Sequence, residues 1–482
     1  MKFNNSIFAR SEALCPPVAR TRQSRVANGL SMRLLRNKSR RLDFFLAKLT
    51  SFASEAKQSR VANGVSMRLL RNKSHKFDFF LAKVALILLF STHIIYSQQN
   101  NLELVESIPV ETTLDNPDIR NTLEVWLEMI NSAQTTLDIE QFYISNEKGE
   151  PLDTILNAIV TAAKRGVIVR LIVDGEMYRT YPDDLTWMEQ QSPNITKHVI
   201  DFKALAGGIQ HAKFFIVDNR EVFLGSQNFD WRALKHIHEL GVRISGDRDL
   251  VRIYSDIFNE DWKYSEINDD KSWNLPIFTI RKPYCMILKS IYGDSIHVKP
   301  TISPKEFYHI NGDKDLEEIL YMIYHSEAEI NLQFLSYNPV TKDGYWDEID
   351  AALISASKRG VKVKLLVSDW NLSKTAVEKF KELIMYPNFE VRFTAIPEFS
   401  GGFIPYARVE HCKFITADNN TWIGTSNMSH DYFYESRNIG LVVESEKFTK
   451  RVRDIFYKSW DSEYAIPIEP SGEYTPRKRD HD

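Results

Sequence analysis

An α/β fold built twice in one chain is predicted, each half a mixed sheet flanked by helices and the two halves packed as a pseudo-twofold dimer. Three observations carry this. Two hairpin-like stretches repeat the same chemistry: His211-Ala-Lys213-Phe-Phe-Ile-Val-Asp218 with Gly225-Ser226-Gln-Asn228, and His411-Cys-Lys413-Phe-Ile-Thr-Ala-Asp418 with Gly424-Thr425-Ser-Asn427. Helix and strand periodicities recur in one order around both stretches. Matching points, Gly166 with Gly360, His211 with His411 and Trp262 with Trp460, lie 194, 200 and 198 residues apart, an internal duplication.

The elements follow in order. Apolar residues at helical spacing appear at Leu123, Trp126, Leu127 and Ile130, and again at Leu316, Ile319, Leu320 and Ile323. Strands are predicted at 136–145 and 330–337. Helices then end in Lys164-Arg-Gly166 and Lys358-Arg-Gly360, each with glycine at the C-cap. The runs 167–173 and 361–367 are rich in β-branched residues, as in a buried α/β strand, although the second carries Lys362 and Lys364. After each hairpin come a strand (Gly241-Val-Arg-Ile, Gly440-Leu-Val-Val) and a helix carrying Ile-Phe-x-x-x-Trp that ends at Trp262 or Trp460. The halves are therefore residues 99–285 and 286–482, with Leu275-Pro276 and Lys282-Pro283 marking the irregular join.

The hairpins place their polar groups together. If Val217 pairs with Val222, His211 lies opposite Asn228 and Lys213 opposite Ser226. The second hairpin is one residue shorter; if its turn is Asp418-Asn-Asn420, His411 faces Asn427 and Lys413 faces Thr425. Residues two apart on a strand share a face, so each half gathers an imidazole, an ammonium, an amide and a hydroxyl on one patch. Cys412 lies between the motif histidine and lysine and points to the buried face. The three cysteines, Cys15, Cys285 and Cys412, form neither a disulfide framework nor a C-x-x-C metal pattern.

The N-terminus has a different character. The stretch from Gln23 to Lys48 recurs from Gln58 to Lys83 with a period of 35, and two repeats without strong helical patterning do not make a solenoid. Residues 1–83 carry 18 Lys/Arg against 4 Asp/Glu, although the whole chain is −3. This basic tract could bind nucleic acid or an anionic membrane, but it reads as a duplicated extension outside the fold, translated from a start upstream of the true one. Residues 84–98 hold an apolar run shorter than the about 20 residues that span a bilayer. Counted from Met67 the segment is a signal peptide ending near Ser97, with a short retained anchor as the alternative. The protein is expected to be exported, periplasmic or secreted, or else anchored and facing outward.

Two histidines that titrate near neutrality can divide a displacement at phosphorus. One attacks to give a covalent phosphohistidine; the other protonates the departing oxygen and then activates water. Lys213, Lys413, Asn228, Asn427, Ser226 and Thr425 supply charge and donors for the phosphate oxygens. No metal or other cofactor is expected, since these side chains meet the phosphodiester charge.

The doubled H-x-K-x4-D with G-[ST]-x-N, over roughly residues 102–465, resembles the phospholipase D superfamily. The resemblance implies two phospholipase D-like halves and a metal-independent phosphodiesterase, with Asp218 and Asp418 supporting the site. Members often carry a glutamate eleven residues after the motif asparagine, hydrogen-bonded to a catalytic histidine. Here it is Glu239 in the first half but Asn438 in the second. A carboxylate on the first imidazole would make His211 the nucleophile and His411 the acid, although other members assign the two roles the other way round. Leu104-Val-Glu-Ser-Ile-Pro109, Asp230-Trp231-Arg232, Ile404-Pro-Tyr-Ala-Arg-Val409 and Trp460-Asp461-Ser462 are similar to the branch of mammalian lysosomal phospholipase-D-like 5′-exonucleases and poxvirus envelope phospholipase-like proteins. The mammalian members' luminal cysteines and full-length anchor are lacking, which fits an exported protein.

The resemblance implies an exonuclease on single-stranded nucleic acid. The alternative is a phospholipase D or phosphatidyl transferase on phospholipid head groups; an inactive membrane-associated interaction protein is third. Beyond residue 83 the chain is net acidic, so a nucleic-acid groove must be local. Tyr143, Trp231, Tyr406 and Tyr432 are available for base stacking. A lipid entrance would draw on Phe229, Phe403 and Phe433. Membrane association and oligomeric state are left open.

Overall fold

The computed structural model describes residues 101–266, 286–304, 313–341 and 344–480. The expectations for the basic repeats, the signal segment and the two join dipeptides lie outside the described residues.

In the first half the long strands are β1 (Asn101–Ser107), β2 (Thr136–Gln141), β3 (Ile168–Asp174), β4 (Ile195–Ile200), β5 (Phe214–Val217), β6 (Glu221–Gly225) and β7 (Glu239–Ser245). Their spatial order is β4-β3-β2-β5-β6-β7-β1, parallel through β4, β3 and β2 and antiparallel from β2 onward. A connecting strand, β8 (Met286–Ser290), leads to the second half: β9 (Ser295–Ser303), β10 (Glu329–Gln333), β11 (Lys362–Ser368), β12 (Phe389–Thr394), β13 (Phe414–Ala417), β14 (Asn420–Gly424) and β15 (Asn438–Glu444). The order β12-β11-β10-β13-β14-β15-β9 repeats the first half strand for strand and direction for direction. β8 pairs with β1 on one side and β9 on the other, making one continuous mixed sheet.

The six helices expected from periodicity are in place: α1 (Thr122–Ser132), α2 (Pro151–Lys164), α3 (Arg248–Glu266), α4 (Asp315–His325), α5 (Glu348–Lys358) and α6 (Glu446–Trp460). Asn121 caps α1 by accepting from Leu123 N, and proline opens α2. Gly166 and Gly360 follow α2 and α5 with φ of 103° and 99°, a conformation that favours glycine. α3 continues four residues past Trp262, to Glu266.

Each half has its own apolar core. A third core lies between them, where Tyr254 and Phe258 of α3 and Phe448, Val452 and Phe456 of α6 cover β1, β7 and β15. Cys412 is fully buried in that core, on the face opposite the motif histidine. None of the described helices is long and apolar enough to cross a membrane.

Two predictions need correction. The expected continuous strands 136–145 and 330–337 break after Gln141 and Gln333, and the first interruption carries Phe142 against His211, ring centroids 5.0 Å apart. The hairpin registers are shifted by one residue. Val217 pairs with Glu221 and Ala417 with Asn420, so that Gly225 N donates to Lys213 O and Gly424 N to Lys413 O. The pairings of His211 with Asn228, Lys213 with Ser226, His411 with Asn427 and Lys413 with Thr425 therefore do not form. The turns are tighter than composition suggests. Asp218 and Asn219 take φ of 51° and 50°, and Asp418 takes 50°. Asp218 accepts from the backbone N–H groups of Gln134, Thr135 and Thr136, and Asp418 from those of Glu327, Ala328 and Glu329.

Candidate active site

Regular pairing stops at Phe214 and Phe414, just short of the histidines, because each histidine is taken up by the other half. His211 N donates to Arg437 O and His411 N donates to His238 O, both at 2.9 Å. The side chains cross over in the same way. His211 Nδ1 meets Asn438 Oδ1 at 3.1 Å, and His411 Nδ1 meets the Glu239 carboxylate at 2.8 and 2.9 Å. Glu239 therefore partners His411, not His211 as its position in the chain suggested. A sheet edge delivers its side chains to whatever lies beside it, and here that is the opposite half.

Both lysines are fully buried. Lys213 Nζ donates to His211 O at 2.8 Å and Lys413 Nζ to His411 O at 2.9 Å. Burial, then the two ammonium groups, pushes the His211 and His411 imidazoles well below their ordinary range. Burial lowers Lys413 to about 8, and burial with Lys413 beside it holds Lys213 well below the ordinary lysine range. Four basic groups thus crowd one buried spot and oppose one another's protons. Burial pushes the Glu239 carboxyl well up, against the pull of Lys413, so the Glu239–His411 pair resists separating into carboxylate and imidazolium. An anion placed among these groups reverses the balance, because it favours every proton that they share.

The remaining predicted residues divide. The amides of Asn228 and Asn427 are buried, 7% and 2% exposed, and both Oδ1 atoms lack a partner, leaving hydrogen-bonding capacity unused at the site. Ser226 and Thr425 stand behind the imidazoles instead of on the phosphate patch. Thr425 Oγ1 donates to Asn438 Oδ1 at 3.0 Å, while Ser226 Oγ accepts from Leu240 N and bonds Glu239. Asp218 and Asp418 sit at the far turns as described; for Asp218, the amides overcome burial and hold the carboxyl at about 2.

Gly225 opposes Gly241 across β6 and β7, and a Cβ on Gly225 would come within 2.5 Å of Gly241 Cα. The glycine of the G-[ST]-x-N motif thus lets the strand bearing Glu239 approach.

The aromatic candidates also divide. Tyr432 packs edge-on to His211 at 4.8 Å, as Phe142 does at 5.0 Å. Tyr143 donates to Asp230 and stacks on Tyr181, Trp231 is half-buried, and Tyr406 is exposed. Phe229 and Phe433 lie in the two separate cores and cannot line a lipid entrance; Phe403 is half-buried.

Sequence reasoning missed a buried network behind the catalytic face. His238 bonds Glu410 at 2.7 Å through Nδ1 and Glu106 at 3.1 Å through Nε2, tying β1 and both halves together. Burial opposes its charge, but the Cys412 thiol, Glu410 and Glu106 outweigh that and raise its pKa well above the ordinary value. His238, Glu410 and Cys412 bring potential metal ligands within 4.8 Å of one another, but both His238 nitrogens are taken by carboxylates. On the other side Arg437 pairs with Asp261 at 2.9 Å, and Gln210 donates to Glu140. The available signal was a polar residue, Gln210 or Glu410, immediately before each motif histidine.

Comparison with known proteins agrees with this duplicated site. The chain matches the family described as "Cardiolipin synthase, PLD-like domain" twice, over residues 126–262 and 322–460. It is 29% identical to Phospholipase D Y of Dictyostelium discoideum, covering 77% of this chain and 93% of that protein. Identity to the virion nicking-joining enzyme of vaccinia virus (strain Western Reserve) is 30%, over 76% of this chain and 89% of the viral protein. The 5′-3′ exonuclease PLD3 of Bos taurus is 28% identical, over 77% and 81%. With two matched segments and one histidine-lysine pair from each, the chain belongs to the phospholipase D-like family of phosphodiesterases.

Proposed function

We propose that this phosphodiesterase acts on single-stranded nucleic acid, as an exonuclease, through a phosphohistidine and without a metal. One observation carries the reading: His211 packs edge-on against the rings of both Phe142 and Tyr432 beside the buried Lys213 and Lys413. Such a site suits an anionic diester whose neighbouring group is a flat base. Two of the relatives named above, a nicking-joining enzyme and a 5′-3′ exonuclease, support it by their names.

His411 is the nucleophile in this reading. A carboxylate partner orients an imidazole and stabilises the positive charge it gains on bond formation. Glu239 gives that partner to His411, reversing the roles expected from chain order. His411 Nε2 attacks phosphorus, the bond to the leaving oxygen breaks, and His211 donates its proton to that oxygen. His211 then takes a proton from water, whose oxygen displaces His411 from phosphorus. Lys213 and Lys413 hold the equatorial oxygens throughout.

Purified, EDTA-treated protein incubated with an end-labelled single-stranded oligonucleotide, and separately with phosphatidylcholine, tests the reading. Release of nucleotides from one end is expected. Hydrolysis of the lipid alone, or restoration of activity only by added Mg²⁺ or Zn²⁺, would overturn it. Export, with removal of the segment ending near Ser97, completes the proposal.

A further inference from the structure

His211 is seated by two neighbours from the other half, Arg437 and Asn438, along a short backbone seam. Arg437 N donates to Ile209 O and His211 N to Arg437 O, both at 2.9 Å, around the bridge that pairs Gln210 with Arg437. Gly208 lets the two backbones meet, since a Cβ there would lie 2.5 Å from Glu435 O. Asn438 Nδ2 is committed to Tyr432 O and Ser436 O, so Oδ1 is the group that faces His211. His211 Nδ1 therefore carries a hydrogen, and Nε2 is left to give and take a proton.

The two sides of the seam are anchored differently. On the His211 side, Gln210 N donates to Asp174 Oδ2 and Gln210 Nε2 to Glu140 Oε1, both at 2.9 Å and both within the first half. On the other side, the Arg437 side chain enters the first half. Its Nε and Nη2 contact the Asp261 carboxylate of α3 at 2.9 Å, and its guanidinium lies 5.4 Å over the Phe202 ring. Its Nη1 donates to Ser303 O, at the end of β9, at 3.1 Å. Arg437 is 1% exposed and Asp261 0%. A guanidinium held by a carboxylate in this way fixes position as well as charge. The pair is neutral as a whole, so it orients His211 without stabilising an imidazolium as Glu239 does at His411. The duplication puts His238, 199 residues earlier, at the equivalent place behind His411, gripped by Glu106 and Glu410.

We propose that Asp261 and Arg437 are positioning residues for the proton transfer at His211. The pair acts through the Arg437 carbonyl and the adjoining Asn438, which hold the imidazole so that Nε2 meets the leaving oxygen. In that step the bond from His411 Nε2 to phosphorus forms and the bond from phosphorus to the leaving oxygen breaks. The electron pair goes to that oxygen, which takes the His211 proton. Loosening the pair slows the departure of a basic oxygen and leaves the attack by His411 intact. This rests on His211 being the proton carrier, as in the reading above.

The test uses the full chain and two diesters. A single-stranded oligonucleotide loses a sugar alkoxide, which needs a proton; a nucleoside p-nitrophenyl phosphodiester loses a phenolate, which departs without one. Asp261→Asn and Arg437→Met are expected to lower kcat on the oligonucleotide about tenfold to a hundredfold with KM unchanged. The rate of the first burst of p-nitrophenolate should fall far less. Arg437→Lys, which keeps the charge, should recover part of the loss. Where a single variant does not fold by circular dichroism, Asp261→Leu with Arg437→Met leaves no lone buried charge from the pair and carries the same comparison. His211→Ala is the control and should show the same split between the two diesters. Equal losses on both diesters, or an unaltered kcat on the oligonucleotide in a folded variant, would overturn the proposal while the control keeps its split. Loss of the burst in His211→Ala and its survival in His411→Ala would instead overturn the assignment of roles.

Discussion

Glu239, on the strand that closes the first half, holds Nδ1 of His411 in the second half at 2.8 Å. The matching contact, His211 to Asn438, replaces the carboxylate with an amide at 3.1 Å. The site therefore has symmetric geometry and asymmetric electrostatics. Glu239→Gln should lower kcat by about 10²–10⁴, while Asn438→Ala should cost less, since it removes orientation without removing charge. Steady-state kinetics on one oligonucleotide decides the matter; equal losses would mean that the carboxylate has no special role.

The division of roles can be trapped. With His211→Ala the leaving oxygen and the attacking water lose their proton carrier, so phosphate should accumulate on His411. With His411→Ala no covalent species should form. Acid-labile, alkali-stable labelling from a radiolabelled substrate, followed by mass spectrometry of the labelled peptide, distinguishes the two. Label on His211 would exchange the roles.

Acid should weaken the fold through the same histidines. His211 and His411 titrate well below 6.5 when folded but near 6.5 when unfolded. Below about pH 6.5 the unfolded chain therefore binds protons that the folded one refuses, and stability falls by up to about 1.4 kcal/mol per pH unit for each imidazole. Denaturant titrations between about pH 5.5 and 7.5 (about one unit either side of the ordinary histidine value) should show the slope, and His211→Asn with His411→Asn should flatten it. A double variant with an unaltered slope would place the acid sensitivity elsewhere.

His238 has the opposite sign. Its pKa is raised on folding, so its stabilisation is complete below about 6.5 and fades as pH rises through the folded value. His238→Ala leaves Glu106 and Glu410 buried without their shared partner and should cost about 3–5 kcal/mol. It should also reduce kcat, because the His238–Glu410 side-chain bond braces the backbone bridge whose His238 carbonyl accepts from His411 N. Chemical denaturation at pH 6 checks the first effect; a cost under about 1 kcal/mol would reduce this network to an incidental one.

The first described strand, Asn101–Ser107, is paired along its whole length with Glu239–Ser245. A chain starting at Gln99 should fold and retain full activity, and the exported protein should begin close to that residue. N-terminal sequencing of protein secreted from the complete reading frame checks this. Recovery of residues 1–66 on the secreted form, or lost activity on deleting them, would make the repeats part of the enzyme.

The duplication, the six paired helices, the succession of elements around each hairpin and the two His-Lys-Asn sets were legible in the sequence because each depends on spacing along the chain. Apolar residues at i, i+3 and i+4, alternation along strands and glycine after a helix are local signals, and repeating them with offsets of 194 to 200 residues marks two copies of one plan. Register was less accessible. Asp218 closes its turn by capping amides 82 to 84 residues away in the chain, and that closure shifts the ladder by one residue. Partnership was not accessible at all. Glu239 is 28 residues from His211 and 172 from His411, and chain distance favoured the wrong histidine. Which imidazole receives the carboxylate, and how His238 comes to lie between Glu106 and Glu410, depend on how two sheet edges meet. That contact forms only when the halves bury their shared apolar core, so tertiary structure alone decided it.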